Sequence, residues 1–179
     1  MNTKQLRRFI MTALFAAMIL LTTAYVLHIP VGTGGGYIHL GDTVIYLAAA
    51  LLPTPFAALS AALGGALADV LTGAAMWAPA TAIIKSVMVI PFTYKKSTLI
   101  CRRNLLAPLF SGIIGIAGYF VAEIVIVMLS GSEFTAAVAG SALAVLPNVL
   151  QETGGAVAFY LIAFALDRMH FKSRLSQML

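Results

Sequence analysis

A chain of 179 residues has room for one domain, and 61% hydrophobic against 9% charged residues leaves too little polar surface to clothe a soluble globule. Eleven Lys and Arg against six Asp and Glu give a net charge of +5, but the bases gather at the ends of apolar runs, which points to a membrane and away from nucleic acid. The single cysteine, Cys101, excludes an intrachain disulfide and a cysteine-based metal site.

A membrane-spanning helix needs about 20 apolar residues, and six hydrophobic segments follow one another. The first, 6–27, comes after Lys4, Arg7 and Arg8. It is longer than the roughly 7–15 residues of a secretory leader, and Leu27-His28-Ile29-Pro30 is a poor cleavage site, so it reads as a retained helix. Gly32-Thr33-Gly34-Gly35-Gly36 breaks it from the second segment, 40–52. That segment gives roughly 20 Å of helix, short of a ~30 Å hydrocarbon core. A glycine-rich stretch before a short helix reads as an outer loop dipping into the protein, a lid over a cavity, since irregular backbone survives at that depth only where protein or water satisfies it.

Pro53-Thr54-Pro55 turns the chain into the third segment, 54–71. There Ala57, Ala61 and Gly65, and Ala58, Ala62 and Ala66, recur every four residues, which suits a tightly buried central helix. The fourth segment, 79–94, opens on Pro79, at home in a first helical turn. The fifth covers 106–129 and the sixth 140–166, where Pro147 either kinks the helix or marks its start.

Six spans place all three basic clusters on one side: Lys4, Arg7 and Arg8; Lys95, Lys96, Arg102 and Arg103; Arg168, Lys172 and Arg174. The opposite loops, 30–41, 72–78 and 130–139, hold no Lys or Arg. Five or seven spans scatter the charges. The expected fold is therefore an all-α bundle of six transmembrane helices with both termini cytoplasmic.

A charged side chain at mid-bilayer costs roughly 2.5–3.5 kcal/mol, yet Lys85, Glu123 and Glu152 lie inside apolar segments. Lys85 is six residues from Pro79 and Glu123 six from Leu129, each about 9 Å deep at 1.5 Å per residue. A start near Pro147 puts Glu152 at a similar depth. All three then occupy the outer half of the bundle at one level, around a ligand cavity. Asn148, Gln151 and Glu152 share a helix face, as do Tyr119 with Glu123 and Thr81 with Lys85. Tyr37, His39, Asp42 and Trp77 sit in the loops above. Donors, acceptors, both signs of charge and aromatic rings suit a small polar solute containing a ring.

Plainer roles stand beside this one. Lys85 as a structural ion pair with Glu123 or Glu152 leaves one acid over, which welcomes a cationic group or a proton. Asp42 is placed as an N-cap of the second helix. Asp69 either caps its loop or pairs with Lys85. Trp77 and Tyr37 also suit interfacial anchoring, and His39 by itself is a weak metal candidate. No P-loop, His-Glu-x-x-His or Gly-x-Ser-x-Gly motif occurs, so neither catalytic nor metal residues are assigned. Two other classes stay open: a stand-alone proton-coupled carrier or channel, and a membrane-embedded enzyme.

Tyr37-Ile38-His39-Leu40-Gly41-Asp42, Gly64-Gly65-Ala66-Leu67-Ala68-Asp69, Pro79-Ala80-Thr81-Ala82-Ile83-Ile84-Lys85, and Asn148 with Gln151 beside Pro147 carry a family likeness. The chain resembles the substrate-binding S components of energy-coupling factor (ECF) vitamin transporters, nearest the branch of hydroxymethylpyrimidine and vitamin B6 carriers. The resemblance implies capture of a micronutrient from outside by the first outer loop and helices four to six. It implies delivery through a transmembrane coupling subunit (EcfT) and two cytoplasmic ATPases, so that ATP is used by partners and this chain needs no cofactor. It also implies an Ala-x-x-x-Ala contact with the coupling subunit, matched here by Ala13 and Ala17 with Ala16 alongside.

Overall fold

The computed structural model of the chain describes residues 2–26, 29–31 and 36–178. The glycine run at 32–35, with its expected role as a lid, and the side chain of Tyr37 lie outside the described residues. In order come α1 (Thr3–Ala24), β1 (Ile29–Val31), β2 (Gly36–Ile38), α2 (Gly41–Leu51), α3 (Thr54–Leu71), a 3-10 turn (Ala75–Trp77), α4 (Ala78–Met88), α5 (Arg102–Leu129), α6 (Phe134–Arg168) and α7 (Phe171–Met178).

Among the described residues the regular structure is helical except for one small antiparallel hairpin, in which Ile29 pairs with Ile38 and Val31 with Gly36. An all-α reading passed over it. Ile29 precedes Pro30, a setting that favours extended backbone, and the ladder satisfies groups that an irregular loop leaves open. α1 lies on α3, α3 on α4, α4 on α5 and α5 on α6, while α2 touches α1, α3 and α6.

All eleven residues of α2 are buried, so α2, and not the third segment, is the central helix. The small residues of α3 mark close approach on one face. Ala57, Ala61, Gly64 and Ala68 are buried, whereas Leu59, Leu63, Leu67 and Val70 are exposed. A Cβ at Gly64 would collide with the Ala16 carbonyl and with Ile19, which is why α1 can sit so near. Leu109, Phe110 and Ile113 on α5, and Leu143, Leu146 and Leu161 on α6, also point outward. An apolar exterior of this extent belongs in lipid.

By length and composition α1, α3, α5 and α6 are able to cross a membrane. α2 and α4, with 11 residues each, cover roughly 16 Å and fall short of that length. The fourth segment was expected to run to Tyr94 but stops at Met88. Pro91 turns its predecessor away from helical backbone and offers no donor. By contrast α5 begins four residues earlier than expected and α6 six, and Pro147 lies inside α6, neither starting nor ending it.

The connection after α4 is held by side chains. Asn104 accepts from Thr93 N (2.8 Å) and donates to the Thr93 and Leu99 carbonyls (3.0 and 2.9 Å). Asp167 accepts from Leu99 N and Ile100 N (2.7 and 2.8 Å). Lys172 of α7 donates to the Ala50 carbonyl at 2.7 Å, capping the end of α2. Orphaning a buried backbone donor costs about 1–3 kcal/mol. Asp167→Ala is therefore expected to lower the thermal midpoint in detergent by several degrees, with the neighbouring exposed Arg168→Ala close to neutral.

Candidate functional site

Three helices bring their polar side chains together beneath the hairpin end of the bundle. Gly41 and Asp42 open α2, and Asp42 turns inward between α4 and α6. Lys85 Nζ meets Asp42 Oδ1 at 2.5 Å, with side chains only 3% and 0% exposed. Gln151 of α6 donates from Nε2 to Asp42 Oδ2 at 2.8 Å. Both carboxylate oxygens are thus engaged, the condition under which a buried ion pair offsets its desolvation. Thr43, next in the chain, donates to the Gly155 carbonyl at 3.2 Å, fixing α2 against α6.

Rings close one side of this cluster. Lys85 Nζ stands 5.1 Å from the centroid of the Tyr119 ring, a cation–π geometry that gains in a desolvated site. Tyr119 Oη donates to Thr81 Oγ1 at 3.2 Å, and Trp77 lies 6.2 Å from Tyr119 between centroids. Glu152 bonds to the Tyr46 hydroxyl one turn along α2 from Asp42. His39 is buried and its Nδ1 accepts from Gly41 N at 2.9 Å, helping to fix the entry to α2. Among the described residues no three His, Cys, Asp or Glu side chains group as metal ligands.

Thr81, Lys85, Tyr119, Trp77, Gln151 and Glu152 therefore converge as the sequence suggested, but the pairing differs. Lys85 takes Asp42 as its ion-pair partner, not Glu123 or Glu152. The N-cap position of α2 falls to Leu40 without a side-chain bond, so Asp42 is free to turn inward. Glu123 and Asn148 are half-buried, and their side chains make no hydrogen bond or ion pair with another described residue. Asp69 is buried near the end of α3. Tyr46 went unnoticed although it stands i+4 from Asp42, on the same helix face.

The alanines of α1 divide. Ala13 and Ala17 are exposed on one face, together with Ile10, Leu14 and Met18, whereas Ala16 is buried beside Phe15 and Ile19 against α3. Ala16 is thus a core residue and not part of an outward contact surface.

A family model described as ECF-type riboflavin transporter, S component, matches residues 3–168. A protein of Pyrococcus woesei described as "Uncharacterized protein in gap 3'region" is 35% identical over 98 residues, 54% of this chain and 66% of that protein. The chain spans just under two thirds of that relative's length.

Proposed function

The chain belongs to the ECF-type riboflavin transporter S-component family, a family of multi-pass transporter substrate-binding subunits and not of enzymes, and from that premise we propose that it captures a small water-soluble vitamin or precursor on the outer side of the cell membrane. The reading has six spans with both termini cytoplasmic, α2 and α4 completing theirs with the non-helical segments beside them. It has the captured molecule delivered by association with a coupling subunit and two ATPases. ATP is spent by those partners, and this chain carries no cofactor of its own.

One observation carries the ligand reading: a buried Lys85–Asp42 pair bridged to Gln151 and faced by the ring of Tyr119. Such a wall offers a cation, a carboxylate, an amide and a π-face to a planar heteroaromatic molecule. Glu152 is the acid left over after Lys85 and Asp42 neutralise one another, which favours a ligand bearing an N–H donor or a protonated ring nitrogen. B6 vitamers and hydroxymethylpyrimidine meet that description, and the family's description adds riboflavin. In this reading His39, Trp77, Glu123 and Asn148 complete the site, and Tyr37, whose side chain lies outside the described residues, is assigned to it from the sequence alone.

Trp77 is the only tryptophan and lies beside Tyr119, so its emission reports occupancy. Purified protein titrated with riboflavin, pyridoxine and hydroxymethylpyrimidine is expected to show saturable quenching with at least one, and mass spectrometry of the purified protein to find that compound carried along. No binding to any of them overturns the reading. Glu152→Gln is expected to weaken the bound compound about ten-fold, ~1.4 kcal/mol, and Glu123→Gln, at the rim, by less. A stand-alone carrier would instead move the compound into liposomes without the ATPases.

A further inference from the structure

Glu152 is shaped by an absence on the helix opposite. A Cβ built on Gly115 of α5 would fall on Glu152 Oε1, 3.2 Å from its Cδ and 3.3 Å from Met88 Cε. One turn away, a Cβ on Gly112 would stand 3.4 Å from Glu152 Cβ. The second carboxylate oxygen, Oε2, accepts from Tyr46 Oη. Tyr46 cannot drift, because it is fully buried, stacked on Phe92 (5.1 Å, 26°) and edge-on to Phe159 (6.0 Å). The carboxylate therefore lies in a slot with Gly112 and Gly115 as one wall and an immobile phenol behind it.

Small residues on a membrane helix ordinarily serve close helix packing, and Gly118 does so against Ile84 of α4. Gly115 is different in kind. The atoms its missing side chain makes room for are the functional end of Glu152, not backbone of α6. The neighbouring Gln151 is committed to Asp42, itself committed to Lys85. Glu152 is thus the acceptor in this cluster that has no cationic partner within ion-pair distance among the described residues.

We propose that Gly115, with Tyr46, is a positioning element for ligand selectivity: it seats Glu152 so that its carboxylate receives an N–H or O–H donor on the deepest edge of the bound molecule. This rests on the vitamin-capture reading. Neither residue is given a contact with the ligand; both act through Glu152.

The test uses riboflavin, pyridoxine and hydroxymethylpyrimidine, each beside an analogue in which one donor group is fully methylated: the imide nitrogen of the flavin, the phenolic oxygen of pyridoxine, and the exocyclic amine of the pyrimidine as its dimethylamine. Full-length protein in nanodiscs is titrated by Trp77 emission. The wild type is expected to prefer the unmethylated member of the pair it binds by ten-fold or more. Gly115→Ala is expected to flatten that preference, and Tyr46→Phe to reduce it. Because Gly115→Ala also crowds α5 against α6, Glu152→Asp is combined with it. The shorter acid withdraws from the added methyl, so the double variant is expected to recover part of the lost preference. A Gly115→Ala protein that discriminates like the wild type overturns the proposal, as do Gly115→Ala and Glu152→Asp losses that simply multiply. In either case the vitamin-capture reading stands, whereas a wild type that binds none of the three compounds removes both.

Discussion

Lys85→Met is expected to abolish ligand capture and to destabilise the protein by about 3–5 kcal/mol, the cost of leaving one member of a buried pair uncompensated. The carboxylate left behind, Asp42, is fully buried and keeps the bond from the neutral Gln151 amide. Met matches the aliphatic stem of Lys85 that packs by Gly65, so the loss is electrostatic and not a cavity. The companion variant separates stability from function. Lys85→Met with Asp42→Asn removes both charges, and exchanging a whole buried pair for neutral groups is often close to neutral for folding. The double variant should therefore unfold near the wild-type temperature in detergent and still fail to bind. A double variant as unstable as Lys85→Met alone would show that the pair is not what holds α2 to α4.

The second large effect is expected far from that cluster. Trp at both Ala13 and Ala17 should stop ATP-driven uptake and loosen the coupling subunit in pull-downs, while leaving the Trp77-independent readout of binding, by equilibrium dialysis, unchanged. Both positions face outward on α1, where lipid accepts a large side chain at little cost. A partner helix needing close approach does not. Ala16→Trp is the contrasting control. That position is buried against α3, where Gly64 already lies tight to the Ala16 carbonyl, and overpacking there destabilises the fold itself. Normal uptake by the Ala13/Ala17 variant would dissociate this face from coupling.

The pair Ala13 and Ala17 also shows what a local pattern tells. A four-residue spacing of small side chains says that something comes close, not what. On α1 it left two alanines outward and a third in the core; on α3 it marked a packed face of a helix whose other side is exposed, while the wholly buried helix proved to be α2. Burial of α2 had a sequence signal in the apolar run from Val44 to Leu52, but long apolar runs occur in the other segments too.

Lipid solvation makes composition decisive for some questions. Where water is absent, a backbone must bond to itself, and an apolar run has few states besides a helix. For that reason the presence of long apolar helices, and the choice of Lys85 and Glu152 as candidates for a shared polar site, followed from residue types alone: an ionisable group in such a run demands a partner. Which partner it takes is another matter. Asp42 reaches Lys85 across 43 positions and Gln151 across 109, while Tyr46 takes Glu152 and Glu123 stays apart from the pair. Those choices depend on the rotation of each helix about its axis and on the depth at which α2 is seated. Both are set by packing among all the helices together, so only the folded bundle decides them.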